Sequence, residues 1–149
     1  MTTGVRSVRL AVDSDAGACA AILNDWIEAT PWMPRIHTEE DVVRYYRETV
    51  FPTQEILVVG SYGVDGFLAL KGNTISALYV AERARRQGAG RALLNAAKAR
   101  QIRLQLWTFE ANDSARRFYR REGFHEIRRT AGDNEEGLPD ILLGWDFAE

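Results

Sequence analysis

Residues 74–94 read TISALYVAERARRQGAGRALL. The first seven, Thr74 to Val80, are rich in β-branched and aromatic side chains and predict a strand. From Ala89 onward the pattern changes, with Ala89, Ala92, Leu93, Ala96 and Ala97 at three-to-four spacing, which predicts a helix with one apolar face. Between the two lie Arg83, Arg85 and Arg86, then Gly88 and Gly90 spaced Gly-x-Gly. The first turn of a helix has unpaired N–H groups and the positive end of the dipole, and is therefore suited to an anion such as phosphate. Glycines at 88 and 90 remove Cβ atoms that would hold a ligand off that backbone, while Arg85, Arg86 and Arg91 add charge.

Several patterns compete for this stretch. A P-loop requires Gly-Lys-Ser/Thr, whereas Gly90 is followed by Arg91 and Ala92. A dinucleotide fingerprint requires Gly or Ala where Leu93 stands, although Glu110 lies at a suitable distance for a ribose contact. The plain structural alternative is a tightly packed helix start with solvated arginines.

Working outward, Val8, Leu10 and Val12 alternate with Arg9 and Ala11 and predict a half-buried first strand. Asp13 or Ser14 can cap a helix whose apolar face is Ala16, Cys19, Ala20, Leu23, Trp26 and Ile27, and which ends before Pro31. TPWMPRIH, residues 30–37, is then a loop, because two prolines forbid a continuous helix. A short helix follows Thr38, where Thr38 and Asp41 match a capping box. Ile56–Gly60, Phe67–Leu70 and Thr74–Val80 read as strands joined by short glycine-bearing turns, hence antiparallel hairpins. Leu104–Phe109 is a further strand, and the helix from about Asp113 closes at Gly123. EIRR and DILLGW complete a mixed α/β sheet.

With 149 residues, 46% hydrophobic and 27% charged, the composition is that of one ordinary globular domain, 1–149, with no linker, repeat or low-complexity segment. A net charge of −2 argues against nucleic acid as a partner. No apolar run approaches the ~20 residues of a membrane span, and Met1–Leu10 has no signal-peptide core, so no membrane association and a cytoplasmic location are expected. The single cysteine, Cys19, reads as a small buried hydrophobe, and with His37 and His125 far apart no metal site is expected.

Two motifs carry a family resemblance. Arg85-Arg86-Gln87-Gly88-Ala89-Gly90, directly after the strand ending LYV, matches the Gln/Arg-x-x-Gly-x-Gly/Ala pyrophosphate loop of the GNAT superfamily of acyl-CoA-dependent N-acetyltransferases. NDSARRFYRREGF, Asn112 to Phe124, matches that family's Asn-x-x-Ala-x-x-Phe-Tyr-x-x-x-Gly-Phe segment. The resemblance implies a GNAT fold, β1-α1-α2-β2-β3-β4-α3-β5-α4-β6-β7 with splayed central strands, and an acetyltransferase that uses acetyl-CoA. It implies that Leu78, Tyr79 and Val80 pair amide to amide with the pantetheine, that Arg85, Arg86, Gln87, Gly88, Ala89, Gly90 and Arg91 hold the pyrophosphate, and that Asn112 reaches the cofactor from across the gap. As a plain alternative, Asn112 caps a helix.

By the same resemblance Tyr119 lies near the cofactor sulfur as a general acid; Phe118 and Ala115, three apart, can fill the core and leave Tyr119 turned to the cleft, the plain alternative being packing of Tyr119 on the helix face. A phenol of pKa ~10 does not readily protonate a thiolate of pKa ~8.5 in water, and desolvation of the thiolate improves the transfer. The implied reaction is direct attack of a neutral primary amine, its oxyanion held by a backbone N–H near Tyr79 or Val80, with no acyl-enzyme. Glu28, His37 and Glu82 are candidate bases; Trp32, Trp107 and Phe109 are candidate walls of the acceptor site, although Trp107 and Phe109, on the face opposite Leu106, also suit ordinary core under a helix. The acidic loop GDNEEGLPD, residues 132–140, offers carboxylates to a cationic amine, or is simply a solvated hairpin loop. The acceptor, whether a small molecule or a protein or peptide amine, stays open, as does a homodimer. The alternative function is a non-catalytic acyl-CoA-binding module, which has no need of Tyr119; a Rossmann-type domain would require a parallel sheet.

Overall fold

The computed structural model describes residues 7–147; the start of the Met1–Leu10 stretch, and residues 148–149 of the expected 1–149 domain, lie outside the described residues. Seven strands form one sheet in the order β1-β2-β3-β4-β5-β7-β6. They are β1 (Val8–Leu10), β2 (Glu55–Val59), β3 (Gly66–Lys71), β4 (Thr74–Val80), β5 (Arg103–Phe109), β6 (His125–Thr130) and β7 (Asp140–Asp146). The helices are α1 (Ala16–Ala29), α2 (Glu39–Tyr45), α3 (Ala89–Lys98) and α4 (Asp113–Arg121). A π-helical turn, Tyr46–Val50, and a last turn, Phe51–Thr53, carry α2 on toward β2.

The short glycine turns make β2-β3-β4 an antiparallel meander, in register at Leu57↔Leu68 and Leu68↔Leu78. β4 and β5 are parallel because helix α3 intervenes, and β5, β7 and β6 are antiparallel again. This mixed sheet excludes the all-parallel Rossmann alternative, and Glu110 is spent on an ion pair with Arg129 at 3.3 Å.

Period-two alternation sends side chains to two core layers. Leu57, Leu68 and Leu70 pack with Leu93, Leu94 and Ala97 of α3 and with Leu104 and Leu106 of β5. Val58, Phe67 and Ala69 pack on the other face with Cys19, Ala20 and Ile22 of α1 and with Tyr46. Each fully buried leucine, valine or phenylalanine among these contributes about 1.5–3 kcal/mol relative to its exposed state.

The cap of α2 is half of the expected box: Thr38 Oγ1 accepts from Asp41 N–H at 3.0 Å, while the Asp41 carboxylate turns to Arg44 at 3.1 Å. The first strand departs further from expectation. β1 is an edge strand in which Val8 packs on the core, but Leu10 and Val12 are exposed. Alternation alone does not bury a face that no second layer covers. Among the described residues, no helix is long and apolar enough to cross a membrane, and no group of three or more His, Cys, Asp or Glu side chains could hold a metal ion.

Candidate active site

The site begins with a failure of pairing. β4 and β5 join only at Thr74↔Gln105 and Ile75↔Leu106, and among the described residues the ladder goes no further. β5 stays bound to β7 along its whole length, from Arg103↔Asp146 to Phe109↔Asp140, and β4 stays bound to β3 as far as Val80↔Gly66. A bulge between Ala69 and Leu70 turns β4 where the two strands part, as bulges do by raising local twist. A wedge opens between Ala77–Val80 and Trp107–Phe109.

The hydrogen bonds on the β3 side determine which β4 backbone groups face this wedge. Ala81 N–H donates to Asp65 C=O at 2.7 Å, so two-residue alternation makes Phe67–Tyr79 the next hydrogen-bonded pair toward the turn. The N–H and C=O of Tyr79 are therefore engaged with β3, and those of Leu78 and Val80 point into the wedge. The expectation that all three residues offer amides is corrected accordingly: Leu78 and Val80 can, and Tyr79 offers only its ring. Val80 C=O already accepts from Arg85 Nε at 3.2 Å.

Past Val80 the chain makes a 3-10 turn at Glu82–Ala84 and enters α3 through two left-handed residues, Arg86 (φ 65) and Gly88 (φ 84). The helical ladder starts with Ala92 N–H to Gly88 C=O at 3.0 Å, leaving the N–H groups of Ala89, Gly90 and Arg91 at the free end of the helix. A Cβ built at Gly88 meets nothing within 4 Å, so this glycine serves its φ and an open concavity. At Gly90 a Cβ would meet Phe118 at 3.4 Å and Val80 at 3.8 Å, which makes Gly90 a packing position. Ala89 buries its methyl in the core, so only its N–H is on offer. Of the arginines, Arg83 turns to Asp65 at 3.0 Å, Arg85 to Val80, and Arg91 to Glu122 at 3.6 Å, while Arg86 extends from the loop into solvent. Gln87 donates to Arg83 C=O at 3.3 Å.

Helix α4 lies behind the wedge. Tyr119 is its buried residue, ringed by Phe118 at 5.2 Å and Phe124 at 5.5 Å, while Phe118 and Ala115 are half-buried. This reverses the expected division of labour, because position 119 faces the sheet and 118 faces the start of α3. The Tyr119 hydroxyl makes no hydrogen bond among the described residues. Burial first, and the neighbouring Tyr79 second, push its pKa well above the ordinary phenol value, so it holds its proton. Asn112 is the helix cap: its Oδ1 accepts from Ala115 N–H at 3.2 Å, and its Nδ2 remains for another partner.

On the opposite face of the sheet a cleft of about 720 Å³ runs along α1 and α2. Three of its rings are joined by contacts, Tyr79 to Trp26 at 5.3 Å, and Trp26 and Phe109 each to Trp32 at 5.8 Å, a ring that is not itself part of the lining. These contacts link the diverging ends of β4 and β5. Carboxylates of Glu48, Glu135 and Glu136 line the cleft, and His37 Nε2 lies 3.0 Å from Glu135. The acidic loop is not merely solvated. Asn134 pins it to Leu138 C=O at 2.7 Å and Asp140 at 3.0 Å, which presents Glu135 and Glu136 to the cleft. Burial pushes the Tyr79 phenol up to about 12, with the charge of Glu136 adding to it.

Trp107 is corrected: it lies outside this cleft, 41% exposed under the Arg128 guanidinium. Of the candidate bases, Glu28 pairs with Arg35 at 3.5 Å, Glu82 is exposed in the 3-10 turn, and His37 lines the cleft. Trp26, Tyr45, Tyr46 and Glu48 are cleft residues that the sequence reading did not single out. Trp26 had a signal, since it lies at the end of an apolar helical face next to a proline-rich loop.

The open wedge, the left-handed glycine loop and the free helix end fit an acyl-CoA thioester. The chain belongs to the GNAT acetyltransferase family: the Acetyltransferase (GNAT) domain matches residues 50–126. It is thus an acyltransferase of a family that uses acetyl-CoA. Peptidyl-lysine N-acetyltransferase YiaC of Escherichia coli (strain K12) is 32% identical over 130 residues, covering 84% of this chain and 88% of YiaC. Among solved structures, apo YjaB from Escherichia coli superposes with TM-score 0.78 at 24% identity, covering 95% of this chain and 97% of that one. The yncA structure from Salmonella typhimurium, which contains acetyl-CoA, superposes with TM-score 0.72 at 18% identity over 97% and 95% of the two chains. At these identities the structures speak to the fold alone.

Proposed function

We propose that the chain transfers an acetyl group from acetyl-CoA directly to a primary amine, and that the amine is a lysine-type side chain. The observation that carries this reading is the position of the β4–β5 wedge, between a loop suited to phosphate and an acidic, aromatic cleft. The likeness to a peptidyl-lysine acetyltransferase supports the choice of amine.

In this reading Leu78 and Val80 hold the pantetheine through backbone groups, with Arg85 giving up the Val80 carbonyl. The N–H groups of Ala89, Gly90 and Arg91, with the Arg86 side chain, hold the pyrophosphate. Acetyl-CoA supplies an activated acyl carbon as its thioester. Val80 N–H receives the oxyanion, and Tyr119 donates its proton to the departing thiolate; exclusion of water makes the thiolate more basic but raises the buried phenol as well, so the transfer depends on a direct hydrogen bond from the phenol to the sulfur. His37 takes up the amine proton through solvent in the cleft. A covalent detour through Cys19 is disfavoured, because that side chain is fully buried and burial pushes its thiol up to about 12.

The test is an acetyl-CoA assay across lysine peptides, free amino acids and polyamines, following CoA thiol release together with acetylation of the acceptor by mass spectrometry. Acetylated lysine peptides are expected. Tight acetyl-CoA binding with no acetylated amine of any class would overturn the proposal.

A further inference from the structure

We infer that Arg35, held by Asn24, is a positioning residue for the amine acceptor: it fixes the loop that forms one wall of the cleft. The inference rests on the reading of that cleft as the acceptor site. Residues 30–37, TPWMPRIH, contain Pro31 and Pro34, which have no N–H to give. The backbone bonds of this segment are Thr30 N–H to Ile27 C=O at 3.3 Å and Met33 N–H to Thr30 C=O at 3.1 Å. Among the described residues, no backbone–backbone hydrogen bond holds residues 34–37. Those residues nevertheless include Pro34, Ile36 and His37 of the cleft wall, and Trp32 lies just before them.

One guanidinium does the holding. Arg35 Nη1 donates to Asn24 Oδ1 at 3.1 Å and to His37 C=O at 3.0 Å, and Nη2 donates to Asn24 C=O at 3.3 Å. Asn24 is buried in the middle of α1, and its Nδ2 donates onward to Glu39 C=O at 3.3 Å, in the first turn of α2. The loop is thus tied at its far end to α1 directly and to α2 through one amide. Among the described residues Arg35 Nε is buried without a hydrogen-bond partner, and the Glu28 carboxylate lies 3.5 Å from it. A buried Asn and an incompletely satisfied Arg are costly ways to fill space, since apolar side chains of similar volume would pack there without polar groups to satisfy. What they supply is direction. The planar fork engages the Asn24 oxygens and a loop carbonyl from fixed angles, which a lysine ammonium cannot reproduce.

The test compares wild type with Arg35→Lys and Asn24→Ala in two arms. In the first, acetyl-CoA-dependent turnover of a lysine-containing peptide is measured. Both variants are expected to raise the peptide KM about tenfold, while the acetyl-CoA KM and kcat stay within about twofold, the double variant adding little to either single one. In the second, hydrogen exchange of the protein without ligands is followed, and amides of residues 32–37 should exchange faster in both variants while those of β2 and β3 do not. Rescue by Arg35→Lys would show that charge alone matters and would overturn the inference. Equal loss of both KM values, kcat and thermal stability would do the same, since it would mark a general structural role. If the wild type acetylates no lysine peptide, the acceptor reading fails, and unchanged exchange at residues 32–37 would then refute the tie itself.

Discussion

The two faces of β4 are built in different ways. On the side of α3 and α4 the site consists of backbone: Leu78 and Val80 facing a wedge, a left-handed glycine, and the free end of a helix. On the side of α1 and α2 it consists of side chains from separated segments, Trp26, Tyr79, Phe109, His37 and two glutamates of the β6–β7 loop. A backbone site tolerates few sequences, because it needs particular dihedral angles and absent Cβ atoms. A side-chain site can be lined in many ways and so varies with the acceptor. The contrast implies that changes on the α3 side act on donor binding, and that changes on the α1 side act on the acceptor.

The largest expected effect tests the residue behind the wedge. Tyr119→Phe keeps the buried ring and removes one hydroxyl, so fold and acetyl-CoA affinity should survive while turnover falls ~10²–10⁴-fold, provided chemistry limits the rate. Wild-type turnover with chemistry limiting would reduce Tyr119 to a wall. Because burial raises this phenol, its loss of a proton should place no alkaline limb on the rate profile below about pH 10.

Next in size is a comparison within the loop. A valine at position 88 must adopt a left-handed conformation that disfavours a branched side chain, which predicts about a tenfold loss of acetyl-CoA affinity for Gly88→Val as the loop re-forms. Gly90→Ala places a methyl in ordinary contact with Phe118, and titration calorimetry should find affinity within about threefold of wild type. The reverse order would restore Gly90 as the point of close ligand approach.

On the acceptor side effects should be smaller. Glu135→Gln combined with Glu136→Gln should raise KM for a cationic peptide a few-fold at low salt, with the difference fading as ionic strength rises and kcat unchanged. A salt-independent change would point to shape rather than charge.

A last prediction concerns stability and two groups buried on the α1 side of the sheet. Cys19 and Tyr79 hold their protons to about pH 12 in the native state, whereas unfolded they release them near ~8.5 and ~10. Above those values the unfolded chain binds fewer protons, so stability should decline from about pH 8.5 upward. Urea midpoints measured from pH 7.5 to 11 check the sign, and a rising midpoint would contradict it.

The same division explains what could be read from the sequence. Strand periodicity, the hairpin glycines and the two motifs located the meander, α3 and α4, because those features are local along the chain. The burial of Tyr119 was missed, since helical spacing alone does not say which of Phe118 and Tyr119 packs into the core. Tyr79 was placed through its amides, whereas pairing with Phe67 occupies them and leaves the ring to the cleft. Trp26, Tyr46 and Glu48 look like parts of amphipathic helices until folding brings them to one cleft. Arg35 and Asn24 lie eleven residues apart with no motif between them, and only the turn of the chain at Pro31 and Pro34 makes them partners.

The most direct test of the wedge is residue-resolved amide exchange with and without acetyl-CoA. The account predicts that Leu78, Val80, Ala89, Gly90 and Arg91 exchange readily in the free protein and become protected on binding, while Tyr79 is protected in both states by its bond to β3. Protection of Tyr79 that depends on acetyl-CoA, or no change at Leu78 and Val80, would contradict it.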